Sequence, residues 1–146
     1  RFELKFALGG VIALVHDIII AIGVIALLGY EINSSFIAAI LTILGYSIND
    51  TIVVYDRIRE NLKRHKGLSL ENIIDNSVND VMRRSLNTSF TTLLAVLAVL
   101  IFGGDTLKSF MVTLLVGIGI GTYSSIFVAS PVVYLLEGKL KSKIKL

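Results

Sequence analysis

The sequence predicts an all-α, polytopic membrane protein with four transmembrane helices and one short amphipathic helix on the cytoplasmic surface. Composition is the first reason: 54% of the 146 residues are hydrophobic, 17% are charged and the mean hydropathy is +0.80. Such a chain has too little polar surface for a soluble domain. The second reason is that the apolar residues form four stretches, each near the ~20 residues that cross ~30 Å of hydrocarbon as a helix. These stretches are residues 6–28, 35–55, 85–102 and 107–136 of a single transmembrane domain, 1–146.

The first predicted span carries an acidic side chain, Asp17, near its middle and next to His16. A carboxylate at that depth is either protonated or paired, because desolvation disfavours its charged form. We therefore interpret Asp17 either as a proton-coupling group or as a polar tether between neighbouring helices.

The second predicted span contains the most informative residue of the chain, Asp50, which lies before the apolar run has ended. A charge in a hydrocarbon span costs several kcal/mol, so it is by default a candidate functional group. Other polar side chains share its helical stripe, which we expect to face a neighbouring helix or a wetted cavity. The members of the stripe are Thr42, Tyr46, Asn49 and Asp50.

The hydrophilic connector, residues 57–83, follows the second span, and its later part repeats apolar residues at helical spacing. Gly67 interrupts the chain beforehand, and Ser69 is a suitable N-cap. We predict a short amphipathic helix on the cytoplasmic surface. It is interpreted as a connector packed on the bundle, with a regulatory element as the alternative.

The third predicted span runs antiparallel to the second, and Arg84 enters it from the side where Asp50 lies. An arginine side chain reaching in from the facing helix predicts an ion pair with Asp50 that is lost when Asp50 is protonated. The alternative for Arg83 and Arg84 is snorkelling to the interface. Hydroxyl groups continue the face of Arg84 into the span, at Thr88, Thr91 and Thr92.

The fourth predicted span has a face of small residues, with Gly117 and Gly121 four residues apart. No strand precedes these glycines, so close helix–helix packing explains them better than a phosphate site. Pro131 is expected to kink the end of this helix or to be accommodated by a neighbouring helix.

Orientation follows from the basic residues, because all but one of the 14 Lys and Arg lie on one side of the predicted spans. The positive-inside rule then predicts that both termini and the connector are cytoplasmic. The net charge of +3 suits anionic lipid and needs no nucleic-acid partner. The chain has no cysteine, which excludes disulfides and thiolate metal sites. We expect neither a cofactor nor a metal.

In these residues and motifs, the chain resembles the SecF members of the SecD/SecF family, within the resistance-nodulation-division (RND) transporter superfamily. The resemblance covers nearly the whole chain, and its most specific block is residues 45–61 around Asp50. The other matching blocks are Val15-His16-Asp17, residues 84–89 with Thr91-Thr92, Phe102-Gly103-Gly104 and residues 119–131. Family members have six spans and a large domain outside the membrane, so we expect a fragment that holds the last four spans.

The resemblance implies an accessory subunit of the Sec translocase, not an enzyme, that couples the proton motive force to preprotein export. It implies a multi-pass protein of the bacterial cytoplasmic (inner) membrane whose proton-coupling residues are Asp50, Arg84 and Asp17. The implied partners are SecD, the SecYEG channel with YajC and YidC as further candidates, lipid, and a preprotein held by the outer domain.

Three other classes of function are each compatible with part of the sequence. An RND-type exporter of small molecules would share the superfamily's helices. An intramembrane aspartyl protease would also place two aspartates, Asp17 and Asp50, on adjacent spans, and Tyr55-Asp56 resembles its tyrosine–aspartate motif. Asp50, however, follows Ser47-Ile48-Asn49 instead of the Gly-x-Gly of that family. A purely structural scaffold predicts that neutralising Asp50 leaves secretion intact.

Overall fold

The computed structural model describes the backbone of residues 2–65 and 67–144 and the side chains of residues 4–65 and 67–136. Every regular element in these residues is helical, which confirms the predicted all-α class. The elements are α1 (Phe2–Leu27), α2 (Ser34–Arg64), α3 (Leu70–Phe102), a 3₁₀ turn (Asp105–Leu107), α4 (Lys108–Phe127) and α5 (Ala129–Ile144). Four segments are long and apolar enough to cross a membrane, with α4 and the start of α5 together forming the fourth.

Two of the helices are much longer than a membrane span requires. α2 has 31 residues and α3 has 33, so at 1.5 Å per residue they measure about 46 and 50 Å. A hydrocarbon core is only about 30 Å thick. The C-terminal part of α2 and the N-terminal part of α3, which carry the charged residues of the connector, therefore extend beyond the apolar stretches.

The amphipathic segment of the connector is helical, as predicted, but it is not a separate helix. It is the first part of α3, which continues without a break into the third span. The predicted N-cap is confirmed, since the Ser69 hydroxyl accepts a hydrogen bond from the Asn72 amide at 3.3 Å. The helix continues because neither glycine nor proline occurs between Leu70 and the C-cap at Gly103.

The fourth span is interrupted at Val128, three residues before Pro131. Val128 (φ −110°, ψ −53°) separates α4 from α5, and the backbone hydrogen bonds resume on both sides of it. Proline has no amide hydrogen and cannot donate to the carbonyl four residues earlier. Pro131 lies in the first turn of α5, where that missing donor is tolerated.

The four apolar helices pack with α4 against α1, α2 and α3, and the α2–α4 interface is the most extensive. Among the described side chains, two apolar clusters form the core. The cluster nearer the α2–α3 connection contains Phe6, Ala13, Val54, Tyr55, Ile58, Ile74, Val81, Ala129 and Val133. The cluster at the opposite end contains Ala39, Ile43, Val96, Leu114 and Ile118. Along each of α2, α3 and α4, a band of buried polar side chains lies between the two clusters.

Candidate functional site

The buried polar band, which we call the polar layer, is built from side chains on four helices. Two carboxylates are in it, and the remaining members are hydroxyl groups. The layer consists of the buried residues Asp17 on α1, Ser47, Asp50 and Thr51 on α2, Ser85 and Ser89 on α3, and Thr122 and Ser125 on α4, together with the half-buried Tyr46 on α2. Hydrogen bonds within the layer join α2 to each of the other three helices.

Asp50 has one satisfied and one unsatisfied carboxylate oxygen. Its side chain is 9% exposed, and Oδ1 accepts a hydrogen bond from the Ser85 hydroxyl at 2.8 Å. Oδ2 is buried and has no hydrogen-bond partner among the described residues. A buried polar atom without a partner is costly, so it needs a proton, a water or a second donor. Asp50 is thus the group in the polar layer that has a carboxylate oxygen without a hydrogen-bond partner among the described residues.

Asp17, by contrast, is fully buried and both of its carboxylate oxygens have partners. Oδ2 accepts a hydrogen bond from the Ser47 hydroxyl at 2.6 Å, and Oδ1 lies 3.1 Å from His16 Nδ1. This arrangement ties α1 to α2, as a polar tether would. A proton-coupling role for Asp17 stays a prediction.

A chain of hydroxyl groups connects three helices beside Asp50, and its direction can be deduced. Thr122 donates its single hydroxyl proton to the Ile118 carbonyl at 2.9 Å. Thr122 must therefore accept from Ser89, whose Oγ lies 2.5 Å away. Ser89 in turn accepts from Tyr46, at 3.0 Å. The chain runs from the phenol on α2 through α3 to the backbone of α4.

Small residues allow α4 to approach α2 closely at this level. A Cβ atom on Gly117 would overlap with Ile43, and one on Gly121 would lie 3.1 Å from Ser47 Cβ. One turn further along α4, Ser125 donates to the Gly121 carbonyl and lies 3.0 Å from the Thr51 hydroxyl. Both predicted packing glycines are therefore in the α2–α4 interface.

The predicted polar faces are only partly turned into the bundle. Tyr46 is half-buried and Asp50 buried, whereas Thr42 and Asn49 are exposed. Consecutive residues of a helix are rotated by 100°, so Asn49 cannot share the direction of Asp50. On α3, Thr88 and Thr91 are exposed and Thr92 is half-buried, and the hydroxyls of Thr91 and Thr92 donate to carbonyls of their own helix.

Arg84 is exposed on α3 and forms no ion pair with Asp50 within the described part of the chain. Ser85, one residue further and rotated by 100°, takes the position on Asp50 that the sequence assigned to Arg84. Arg84 instead borders a polar cavity of about 390 Å³ between α2 and α3. The other lining residues are Val53, Asp56, Arg57, Glu60, Asp80 and Val81. The pairing of Arg84 with Asp50 stays a prediction.

Polar contacts at and next to this cavity hold the extended ends of α2 and α3 together. The Arg57 guanidinium contacts Asp80 at 2.8 Å and Glu60 at 2.7 Å. Asn61 donates to the Ser77 hydroxyl at 2.9 Å. Exposed ion pairs are individually weak, so the register of the two helices depends more on the buried Asn61–Ser77 contact.

The serines of the polar layer were not among the predicted site residues. Their signal in the sequence was the recurrence of Ser77, Val81, Ser85 and Ser89 every four residues along α3. The same spacing had identified the glycines of α4 as packing residues. No group of three or more His, Asp or Glu side chains converges in the described residues to hold a metal ion.

The sequence of this chain is similar to those of known protein-export membrane proteins. Residues 1–139 match the family model described as "Protein export membrane protein SecD/SecF, C-terminal". The protein translocase subunit SecF of Sebaldella termitidis is 59% identical over 138 residues, which cover 94% of this chain and 45% of the relative. The SecF subunit of Petrotoga mobilis is 51% identical and is matched over 91% of this chain and 44% of its own length. The chain thus spans a little under half the length of these relatives.

Two solved structures are similar to the whole helical arrangement. A crystal structure of SecDF in a super-membrane-facing form matches 99% of this chain with a TM-score of 0.94 and 44% identity. SecDF from Thermus thermophilus, described as a translocon-associated membrane protein, matches 92% with a TM-score of 0.88 and 46% identity. This chain covers 20% and 19% of those two chains, respectively.

Proposed function

Since this chain belongs to the SecD/SecF family of protein-export membrane proteins, we propose that it forms the membrane part of a proton-coupled accessory subunit of the Sec translocase. The complete protein would use the proton motive force to assist preprotein export across the bacterial cytoplasmic membrane. The observation that carries the proton-coupling part is the buried, unpartnered Oδ2 of Asp50. A carboxylate with one open oxygen inside a membrane span is suited to take up and release a proton.

In the proposed cycle, Asp50 and Arg84 form a two-state element. When Asp50 is ionised, its open oxygen attracts the guanidinium of Arg84, which borders the neighbouring polar cavity. When Asp50 is protonated, that attraction is lost and α3 can shift relative to α2. Coupling requires that the carboxylate is reached from opposite sides of the membrane in the two arrangements. Asp17, whose partners are complete, would hold α1 on α2 during the cycle or act as a second proton site.

The proposal includes partners and an orientation. SecD is the expected partner within the membrane, and the SecYEG channel is the expected site of action, with YajC and YidC as further candidates. The preprotein would be held by an outer domain, and the many exposed apolar side chains of the four spans suit lipid and neighbouring helices. The basic residues support cytoplasmic termini.

The function is tested by measuring preprotein export into inverted membrane vesicles that contain the complete complex. We expect an export component that depends on this subunit to disappear when a protonophore collapses the proton gradient. Vesicles without the subunit provide the control, since their export should lack that component. A component that persists without a proton gradient, or that follows a sodium gradient instead, would contradict proton coupling.

The orientation predicts which positions react with thiol reagents that do not cross the membrane. Single cysteines at Ser34 and Asp105, in the two short connections, should be labelled from outside intact cells. A cysteine at Ser142 should be labelled only after the membrane is opened, because the basic residues hold that end in the cytoplasm. Labelling at Ser142 in intact cells would reverse the orientation.

A further inference from the structure

We infer that Ser85 is a positioning residue of the proposed proton site: its hydroxyl holds the ionised carboxylate of Asp50 and sets the pH at which that carboxylate binds a proton. The inference rests on the proposed function, in which Asp50 is the proton-carrying group. It adds a residue on α3 that contacts Asp50 directly, at 2.8 Å between Ser85 Oγ and Asp50 Oδ1.

The hydrogen bond of Ser85 departs from the usual behaviour of hydroxyl groups in helices. Serine and threonine in a helix commonly donate to the carbonyl four residues earlier. Among the described residues, seven hydroxyl groups do so: those of Thr42, Ser77, Thr91, Thr92, Thr113, Thr122 and Ser125. Ser85 and Ser47 instead give their single proton to a carboxylate on another helix. Each buried carboxylate of the polar layer is therefore served by one serine.

Because Ser85 is buried, water cannot easily replace its hydroxyl as the hydrogen-bond donor to Asp50. The side chain is 1% exposed, and Asp50 is 9% exposed. A hydrogen bond to the charged form of a carboxyl group favours ionisation, and the effect is larger where water is excluded. Because Ser85 occupies Oδ1, the proton is expected to bind at the open Oδ2.

None of the other described charged and titratable groups around Asp50 donates a hydrogen bond to its carboxylate. From α3, Arg84 is exposed and forms no ion pair with Asp50 among the described residues. From α1, Asp17 already has a partner on each oxygen.

The remaining titratable groups near Asp50 form hydrogen bonds with other residues or lie beyond the polar layer. On α2, the phenol of Tyr46 bonds to Ser89 and that of Tyr55 donates to the Ala129 carbonyl. Asp56 and Arg57 lie more than a turn further along α2, beyond the polar layer. From Ser109 onward, the described side chains of α4 and α5 include no Asp, Glu, His, Lys or Arg, and their two phenols, Tyr123 and Tyr134, are exposed. Ser85 is thus the direct donor to Asp50 in the described part of the chain.

The inference is tested by infrared titration of the purified complete complex. The carbonyl band of protonated Asp50 is identified by its loss in Asp50→Asn, and its intensity is followed against pH. We expect Ser85→Ala to move the midpoint upward by about one pH unit, a roughly tenfold tighter binding of the proton. The sign follows because removing a donor to the ionised form favours the protonated form.

Ser89→Ala is the matched control, because Ser89 lies one turn further on the same face and is similarly buried but contacts Tyr46 and Thr122. Its midpoint should equal that of the unmodified protein. Ser85→Thr keeps the hydroxyl and should return the midpoint toward the original value. An unchanged midpoint in Ser85→Ala, or an equal shift in Ser89→Ala, would overturn the role of Ser85.

The titration also separates this inference from the proposed function. The infrared band reports proton binding at Asp50 whether or not that binding drives export. A shifted midpoint in Ser85→Ala together with normal export by Asp50→Asn would keep Ser85 as a positioning residue and refute the proposed function. A normal midpoint in Ser85→Ala together with lost export by Asp50→Asn would refute the role of Ser85 and support the proposed function.

Discussion

Replacing Asp50 with asparagine in the complete complex should abolish proton-dependent export while leaving assembly of the complex intact. The amide preserves the shape of the side chain and can still accept the hydrogen bond from Ser85. It cannot titrate, so the open position at Oδ2 can no longer take up a proton. We expect export to fall to the level measured with a collapsed proton gradient, assayed with inverted vesicles and with co-purification as the measure of assembly.

The matched control for this substitution is Asp75→Asn, which makes the same chemical change at an exposed carboxylate on α3. Its export should be normal. Normal export by Asp50→Asn as well would leave only the scaffold interpretation.

If Arg84 is the charge partner of Asp50 in the other state, Arg84→Ala should reduce export as much as Asp50→Asn. The double variant should then be no worse than either single one, while Arg83→Ala stays mild.

Arg84 and Ser85 illustrate which contacts of the candidate site the sequence does not predict. A charge inside an apolar run is rare and costly, so the positions of Asp17 and Asp50 in the sequence already mark them as candidate functional residues. Which neighbour faces them depends on helix rotation, where an error of one residue is an error of 100°. Serine gives no comparable signal, since it can satisfy its hydroxyl within its own helix. The contact from Ser85 to Asp50 therefore required the packed structure.

The helices themselves were more predictable than their ends. Four apolar stretches of spanning length predicted the four spans, because the membrane requires that length. The change from amphipathic to apolar composition predicts a helix boundary, whereas the structure has one continuous helix from Leu70 to Phe102. Such a change marks only where a helix leaves the membrane. The helix itself ends where its backbone hydrogen bonds end, at Gly103.

A methyl group added at Gly117 should disrupt the interface on which the polar layer depends. The new Cβ would overlap with several atoms of the Ile43 side chain, which is buried and stiff about its first torsion. Overpacking of this kind costs roughly 1–3 kcal/mol. We expect Gly117→Ala to lower the temperature at which α2 and α4 separate. The measurement is the reactivity of a cysteine introduced at Ser124, which is fully buried in the packed helices, during heating of the complete complex.

Gly119→Ala is the control, because Gly119 lies on the same helix and nothing is within 4 Å of its added Cβ. Removing that glycine should leave the transition unchanged or raise it slightly, since alanine favours the helix by up to about 1 kcal/mol. The loss in the double variant Ile43→Ala with Gly117→Ala should be smaller than the sum of the two single losses, because Ile43→Ala removes the atoms that overlap with the new Cβ. Equal behaviour of the two glycine variants would mean that α4 does not approach α2 closely at Gly117. With a displaced α4, the contacts from Ser125 to Thr51 and from Thr122 to Ser89 would be lost as well.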